Sequence, residues 1–259
     1  MESLRIYGIE PFNVAVIHGG PGAPGEMEPV AQELSHLVGV LEPLQTEKTL
    51  EGQVKELKSI IEYFGNVPVT MIGFSWGAML SFILSAKYPL LVKKLILIGS
   101  APFEEAYAMS IMTTRLDRLS EKDRIEALLI TEALKHSTTD DKDVLLMKLS
   151  TLMLKADSYD PLLHKTDIME YQYNVYQSVW EEASRLRREG KLRELGWNIQ
   201  CPVVAIHGDY DPHPYLGIEI LYRILKNFCL IKLEKCGHRP WIERNVRTNF
   251  YNILRNEVL

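Results

Sequence analysis

The sequence is short of the features that mark secreted and membrane proteins. Its 259 residues hold 3 cysteines (Cys201, Cys229 and Cys236), which are too few and too late in the chain to form a disulfide framework. No apolar run approaches the roughly 20 residues that a membrane helix needs. The first residues contain neither the basic segment nor the apolar segment of a secretory signal. These absences predict a cytoplasmic protein without a membrane partner.

An excess of basic charge is also missing. The chain has 29 Lys and Arg against 34 Asp and Glu, a net charge of -5. This balance is unsuited to binding a phosphate backbone, so it excludes nucleic-acid binding as the main function. The histidines and cysteines lack the spacing of metal ligands, and the glycines at 19, 20, 22 and 25 do not fit a dinucleotide loop. We therefore expect neither a metal nor a cofactor.

Glycine and proline are nearly absent from one long stretch. Residues 103–197 hold 2 of the 16 glycines and 1 of the 13 prolines, together with 32 charged residues. Such a block predicts amphipathic helices, whereas the flanks alternate short apolar runs with helical patterns and turns. This contrast predicts a core formed by residues 1–102 and 197–259, with a helical cap inserted at 103–196.

The flanks predict an α/β fold with a mostly parallel sheet flanked by helices. Their apolar runs are rich in Val, Ile and Leu and are apolar on both faces, as strands covered by helices are. The predicted strands are 12–17, 37–41, 67–72, 94–98, 203–206 and 229–233. The predicted helices are 49–64, with its start at Thr49, then 76–87, 215–226 and 239–255.

The strongest local motif is Gly-Phe-Ser-Trp-Gly at 73–77. It follows an apolar strand and precedes a helical pattern, which is the context of a serine nucleophile on a sharp strand-to-helix turn. Glycines at 73 and 77 remove side chains that would collide in such a turn, and they leave the Ser75 hydroxyl exposed. The alternative is an ordinary glycine-flanked turn that happens to contain a serine.

A second motif, His-Gly-Gly-Pro-Gly at 18–22, follows the first predicted strand. Consecutive glycines allow the backbone to turn an amide inward as an oxyanion donor, and the amide of Trp76, next to the nucleophile, supplies the second donor. Pro21 and Pro24 would break a following helix, which also argues against a dinucleotide loop. For His18 we expect a structural role within this loop.

A nucleophilic serine needs a base and an orienting carboxylate. His238 lies in the loop between the last predicted strand and the last helix, and is the candidate base. Asp209 and Asp211 follow another strand; Asp211, further out on its loop, is the candidate acid, and Asp209 a cap for the turn. The order Ser75, Asp211, His238 is typical of α/β-hydrolases. Surface, capping or packing roles suffice for His36, His136, His164 and His207.

Together these motifs resemble the α/β-hydrolase superfamily, and most closely its proline iminopeptidase branch. The resemblance implies that the amides of Gly20 and Trp76 form the oxyanion hole, and that the inserted helices correspond to that family's cap. Three departures stand against a peptidase. Pro212 occupies the position after the triad aspartate where the family can have an amine-binding glutamate, Ala78 replaces a common glycine, and the leading hairpin looks reduced or absent.

The cap contains an aromatic cluster followed by two glutamates. Its members at helical spacing share one face, which predicts either an aromatic wall over the site with a glutamate for an ammonium group, or simple packing against the core. Tyr171 is the first member of the aromatic cluster, and Glu182 follows the candidate glutamate, Glu181. The candidate substrate contacts are Gly19, Tyr173, Tyr176, Trp180 and Glu181.

Three hypotheses follow. The first is a serine hydrolase that cleaves a small ester or amide through a Ser-His-Asp triad and an acyl-enzyme. The second is its aminopeptidase form, similar to proline iminopeptidase, which predicts a buried acidic pair in the pocket. The third is a non-catalytic ligand-binding protein on a hydrolase fold. The expected partner is a small molecule or a short peptide, and the sequence leaves the oligomeric state open.

Overall fold

A computed structural model describes residues 3–136, 141–162 and 170–259. Seven strands form one sheet in the order β1-β3-β2-β4-β5-β6-β7, in which β1 is antiparallel to β3 and the other neighbours are parallel. The strands are β1 Leu4–Tyr7, β2 Phe12–Ile17, β3 Gly39–Pro43, β4 Val69–Phe74, β5 Val92–Ile98, β6 Val203–Gly208 and β7 Phe228–Leu233. The predicted α/β class with a mostly parallel sheet is confirmed.

All six predicted strands are present, with ends that differ by two residues or fewer. The strand that sequence patterning missed is β1, which pairs with β3 from Leu4 opposite Pro43 to Tyr7 opposite Val40. The pairing agrees with the expectation of a reduced or absent leading hairpin, since β1 bonds β3 and is separated from β2 by it in the sheet. As an edge strand, β1 is half-exposed rather than buried, so it lacks the apolar run by which the other strands were found.

The core helices cover both faces of the sheet. They are α1 Glu28–Ser35, α2 Leu50–Phe64, α3 Trp76–Lys87, α10 Leu216–Glu219 and α11 Arg247–Val258. Alternate residues of β2 supply both layers, since Ala15 packs with α2 and α3 while Val14 packs with α1 and α11. As predicted, Thr49 caps α2, and its hydroxyl accepts a hydrogen bond from the Gly52 amide at 3.0 Å.

Two predicted core helices are shorter than expected. The 215–226 segment is α10 followed by a 3-10 turn at Ile220–Arg223, and α11 begins only at Arg247 rather than at 239. Pro240 starts a separate 3-10 turn, Pro240–Ile242, in the second case. The backbone of Glu243 is extended, with φ −81° and ψ +118°, and so separates this turn from α11.

Between β5 and β6 the described residues form six helices. They are α4 Glu105–Ala108, α5 Ser110–Arg118, α6 Glu121–His136, α7 Lys142–Asp157, α8 Tyr173–Arg188 and α9 Lys191–Leu195. We call residues 103–196 the cap; its treatment as a separate lid domain stays a prediction. Helices α6 and α7 share a small apolar cluster, whereas Val175 and Val179 of α8 join the core layer beneath them. No helix in the described part of the chain is long and apolar enough to cross a bilayer.

Candidate active site

Ser75 occupies a strained turn between β4 and α3. Its backbone has φ +51° and ψ −111°, which is unusual for a residue with a side chain, and its amide donates to the Ile98 carbonyl at 2.9 Å. A Cβ at Gly73 would lie 2.3 Å from the Gly77 carbonyl oxygen, and one at Gly77 would lie 2.3 Å from that of Ile17. Both glycines are therefore needed for this turn to pack against β2.

Asp211 and His238 lie beyond the carboxyl ends of β6 and β7 and are hydrogen-bonded to each other. The distance from Asp211 Oδ2 to His238 Nδ1 is 2.7 Å, and both side chains are buried. The Phe74 ring packs on His238 with centroids 4.7 Å apart. Gly99 provides the space, since a Cβ there would lie 2.9 Å from His238 Nδ1. This bond fixes the Nδ1 proton of His238 and leaves Nε2 as the basic nitrogen.

The electrostatics of Asp211 keep it ionised. Burial alone raises its pKa, but attraction to His238, His213 and His207, together with hydrogen bonding from His213, holds the pKa of Asp211 well below its usual range. The other candidate, Asp209, accepts a hydrogen bond from the Cys236 amide at 3.2 Å and so ties the two loops together. This contact between loops differs from the expected role, which was a cap for the turn after Asp209.

His213 was not among the site residues predicted from the sequence. Its Nδ1 lies 2.8 Å from Asp211 Oδ1, and its backbone amide donates to the same oxygen at 2.9 Å. The His213 ring stacks on His238 with centroids 4.5 Å apart and an interplanar angle of 30°. Burial lowers the pKa of His213 to about 4, so the ring is neutral at pH 7. The available signal was its position two residues after the candidate acid.

The 18–22 loop lies beside Ser75. Gly20 and Trp76 both line the cleft that contains Ser75, and Gly20 has φ +30°. Gly19 is not among the described residues that line the cleft; a Cβ there would lie 2.5 Å from Glu26 Oε2, so its role is packing. His18 is fully buried with Nδ1 2.8 Å from the Gly19 carbonyl oxygen, and burial lowers its pKa. These contacts agree with a structural role for His18.

The cleft over Ser75 has a volume of about 170 Å³ and is walled by both parts of the chain. The core side contributes Gly20, Pro21, Ala23, Glu26, Phe74, Ser75, Trp76, His213, His238 and Arg239. The cap side contributes Met112, Arg115, Leu146, Leu149, Ser150, Met153, Leu154, Asp157, Tyr171, Tyr176 and Trp180. The three candidate triad residues thus share one small cleft or its immediate wall.

The cap candidates divide between the cleft and other places. Tyr176 and Trp180 line the cleft, and Trp180 contacts Trp76 edge-on with centroids 6.3 Å apart. Tyr173 instead packs within the cap, where its hydroxyl donates to the Leu134 carbonyl at 3.1 Å. Tyr176 contacts both places, since its ring lies 6.4 Å from that of Tyr173 and also packs on the cap cluster.

The glutamate predicted to bind an ammonium group is elsewhere. Glu181 is exposed and is not among the described residues that line the cleft, so this expectation is wrong. Its neighbour Glu182 accepts a hydrogen bond from the Leu50 amide at 3.1 Å, at the start of α2. Residues 181 and 182 follow Trp180 on a helix, and their rotation around the axis turns them away from the cleft.

The acids that do line the cleft, apart from the buried wall at Asp211, are each paired with an arginine. Arg115 makes two hydrogen bonds of 2.7 Å to Asp157, from Nε and Nη2. Arg239 donates to Glu26 Oε1 from Nε at 2.9 Å and from Nη2 at 2.5 Å. Sequence spacing gave no signal for either pair, because their partners are 42 and 213 residues apart.

A buried carboxylate fastens the cap to the loop of the candidate base. Glu243 is fully buried and accepts hydrogen bonds from the amides of Tyr159, Asp160 and Gly237, at 2.8, 2.8 and 2.9 Å. We call this group the Glu243 clasp. Next to it, the His238 amide donates to the Asp157 carbonyl at 2.8 Å. The position of His238 therefore depends on the chain that leaves α7.

Within the described ranges, one cluster has the composition of a metal site. The ligand atoms of Asp211, His213 and His238 lie within 4.8 Å of one another. Both ring nitrogens already bond the carboxylate at hydrogen-bond distance, however, so a cation would displace the proton that orients His238. This arrangement fits a proton-holding network better than a metal site. Of the other histidines, His164 and the side chain of His136 lie outside the described part of the chain.

The chain belongs to the α/β-hydrolase fold family, whose model matches residues 14–238. It is a hydrolase by this family membership and by its relatives. A proline iminopeptidase of Lactobacillus delbrueckii subsp. bulgaricus is 26% identical over 268 residues, covering 90% of this chain and 85% of that protein. A proline iminopeptidase of Thermoplasma volcanium is 22% identical, covering 91% and 86%. The expected resemblance to that branch is confirmed at this level of identity.

Solved structures agree on the fold. VinJ aligns with a TM-score of 0.70 at 17% identity, covering 98% of this chain and 93% of that one. The monoacylglycerol lipase of Paleococcus ferrophilus aligns with a TM-score of 0.62 at 16% identity, covering 100% and 98%. The meta-cleavage product hydrolase of Pseudomonas fluorescens IP01 gives 0.65 at 18%, covering 99% and 94%. At these identities the likeness shows the fold alone.

Proposed function

We propose that the protein is a serine hydrolase that cleaves small esters or amides through an acyl-enzyme. Ser75 is the nucleophile, His238 the general base and Asp211 the residue that orients it. The observation that carries the proposal is the 2.7 Å bond between Asp211 and His238, made at the cleft where Ser75 occupies its strained turn. A buried, ionised Asp211 has no evident structural use that would require this placement.

The reaction follows from these roles. Ser75 Oγ attacks the substrate carbonyl while His238 Nε2 takes the hydroxyl proton, and the amides of Gly20 and Trp76 bind the oxyanion that forms. The C–O or C–N bond then breaks, and the leaving alcohol or amine takes the proton from His238. Water repeats the sequence on the acyl-enzyme, releasing the acid and restoring Ser75.

The size and charge of the cleft favour a small, uncharged acyl group. Its volume of about 170 Å³ is close to that of cavities that hold one benzene ring, at about 150 Å³, and below the roughly 300 Å³ of typical drug-sized pockets. The Glu26 and Asp157 carboxylates are each compensated by an arginine. Tyr176 and Trp180 supply an aromatic wall.

The second candidate is removal of an N-terminal residue from short peptides, favoured by the proline iminopeptidases among the relatives. It needs a carboxylate free to bind the substrate ammonium group. Glu181 is exposed, and the cleft acids Glu26 and Asp157 are paired, so the geometry favours the ester and amide hydrolase.

Turnover of p-nitrophenyl butyrate and of prolyl-p-nitroanilide, measured side by side, tests the proposal. We expect ester cleavage that disappears in Ser75→Ala and persists in Ser110→Ala, which changes an exposed cap serine. A fluorophosphonate should label the wild-type protein and the Ser110 variant but not the Ser75 variant. Efficient anilide cleavage would move the assignment to the aminopeptidase, and failure of both turnover and labelling would leave the binding protein.

A further inference from the structure

The carboxylate of Asp211 is shared between two imidazoles. Its Oδ2 bonds His238 Nδ1 at 2.7 Å, while its Oδ1 bonds His213 Nδ1 at 2.8 Å and the His213 amide at 2.9 Å. The triad scheme uses only the first of these contacts. Both hydrogen bonds to Oδ1 thus come from one residue, which the proposed reaction leaves without a role.

We infer that His213 is a positioning residue of the active site, which holds Asp211 through a hydrogen bond from Nδ1 so that Oδ2 stays aligned with His238. This inference rests on the proposed serine hydrolase mechanism. The His213 amide alone holds Oδ1 from one direction and lets the carboxylate rotate about its Cβ–Cγ bond. The second bond, from Nδ1, fixes Oδ1 and so keeps Oδ2 in the plane of the His238 ring.

His213 is itself held from behind. His207 Nε2 lies 2.7 Å from the His213 carbonyl oxygen, and the same nitrogen lies 3.6 Å from Asp211 Oδ2. His207 thus fixes the backbone of the 211–213 turn rather than competing strongly for the carboxylate, because 3.6 Å is beyond hydrogen-bond distance. Three histidines surround one aspartate, each with a different task.

The charge state of His213 suits this task. Burial lowers the pKa of His213 to about 4. Repulsion from His238 and Arg115 acts in the same direction, against the attraction of Asp211. Asp157, the other acid nearby, is bonded to Arg115. Since Asp211 is ionised, the single proton of neutral His213 belongs on Nδ1. A neutral donor orients the carboxylate without placing a second cation 4.5 Å from the imidazolium that His238 becomes.

Three substitutions separate positioning from the alternatives. His213→Asn retains a nitrogen donor at the place of Nδ1, and His213→Leu has the same branched shape without a donor. His213→Gln carries its amide nitrogen one bond further, at the place of Nε2, where it would replace a direct contact with substrate. We expect kcat in the Leu variant to fall about 10–100-fold, the range for losing an orienting partner at a functional site. The Asn variant should remain within about 3-fold of wild type, with KM little changed in both.

The pH profile adds a readout that mere packing would not move. Loss of the His213 donor leaves the negative charge of Asp211 unshared, so that it acts more strongly on the His238 ring. The acidic limb of kcat/KM should therefore shift to higher pH in His213→Leu and stay in place in His213→Asn. Equal losses in Asn and Leu without a shift, full activity in Leu, or rescue by Gln instead of Asn would each overturn the inference.

Two measurements keep the test decisive. If His213→Leu fails to fold, as judged by thermal unfolding, then the Asn and Gln variants still decide: Asn above Gln supports positioning, and Gln equal to or above Asn overturns it. The low-field proton NMR signal of the Asp211–His238 bond is read without substrate. We expect the signal to survive in His213→Asn and to weaken in His213→Gln. This holds even if the Ser75→Ala control shows that the chosen esters are not substrates, because the signal does not depend on turnover. An unchanged signal in His213→Gln would overturn the inference.

Discussion

Two parts of the protein hold the side chains around the cleft by different means. One is the cap, and the other is the crest of the sheet, by which we mean the loops at the carboxyl ends of β4, β6 and β7. At the crest, Ser75 and the residues around it are fixed by backbone contacts so close that Gly73 and Gly77 have no room for a side chain. In the cap, several large apolar residues stay exposed, including Met109 at 71% and Leu129 at 67%, and ion pairs face the cleft. The candidate reacting groups therefore lie on the tightly packed part, and much of the cleft wall lies on the more exposed part.

This difference separates two kinds of information. The crest carries the chemistry of the proposed reaction, because the proposed nucleophile, base and acid follow the ends of β4, β6 and β7. The cap bears on which substrate would fit, because it supplies most of the apolar lining of the cleft. The parts meet through the apolar face of α8 and through hydrogen bonds, among them Asp157 with His238, and Gln172, whose amide donates to the Gly22 carbonyl at 2.9 Å.

The largest expected effect is at the crest. Asp211→Asn should lower kcat by about 10⁴-fold, because an amide favours the wrong His238 tautomer and stabilises no imidazolium. Steady-state kinetics on a chromogenic ester measures it, and circular dichroism verifies that the fold is retained. Asp209→Asn is the matched control and should stay within about 10-fold of wild type. Comparable losses of kcat in the two variants would mean that Asp211 is not the acid of the triad.

The second test compares burial in the two parts. Phe82 of α3 is fully buried and packs on Phe103 with centroids 4.7 Å apart, so Phe82→Ala should lower the free energy of unfolding by about 3–5 kcal/mol. Leu129→Ala, on the exposed side of α6, should change it by less than about 0.5 kcal/mol. Urea denaturation measures both. A large loss at Leu129 would reveal a covered surface there.

The third test addresses the cap wall of the cleft. Asp157→Leu leaves the Arg115 guanidinium without its carboxylate and should lower the free energy of unfolding by about 2–3 kcal/mol. This is less than the roughly 3–5 kcal/mol of a fully buried pair, because the Arg115 side chain keeps 18% exposure. Adding Arg115→Met should restore most of the stability. Failure of the double variant to recover would mean that the pair holds the cap by more than charge compensation.

The smallest expected effect is a pH dependence that originates at the crest. The pKa of folded His213 is about 4, below the roughly 6.5 of the unfolded chain, so the unfolded state binds the proton first. Its contribution to stability is present above about pH 6.5 and is lost as the pH falls toward 4. Between about pH 7 and 5.5 the loss is about 1 kcal/mol.

Denaturant titrations of wild type and His213→Asn at these two pH values check the prediction. The variant should show the smaller decrease. Buried His18, whose pKa is also lowered, acts in the same direction in both proteins and sets the remaining slope. Equal slopes in the two proteins would place the titration elsewhere.

Sequence patterning predicted the crest because its constraints are local. The Gly-Phe-Ser-Trp-Gly turn needs glycines at fixed spacing, and buried parallel strands need continuous apolar runs, so both are visible in one stretch of chain. The edge strand β1 was missed because none of its residues is fully buried. His213 was missed because its bond to Asp211 gains meaning only where the same carboxylate also bonds His238 from another loop.

The cap resisted prediction for a physical reason. Tyr173, Tyr176 and Trp180 share a face of α8 by their spacing. Which of them contacts the cap cluster and which lines the cleft depends on how α6 and α7 pack against α8. The ion pairs that neutralise the cleft join residues 42 and 213 positions apart. Helical periodicity shows which side of a helix is apolar, but not what that side will contact.

The Glu243 clasp limits how the cap could be exchanged between hydrolases to change their substrate range. One carboxylate binds amides of the cap's returning chain and of Gly237, next to His238. A chimera with a foreign cap would keep its base in place only if the graft preserved residues 157–160, with the two amides at 159 and 160 and the Asp157 carbonyl. The exchangeable parts of the cap therefore lie on either side of this segment, in residues 103–156 and 161–196, and together they are smaller than the helical insertion.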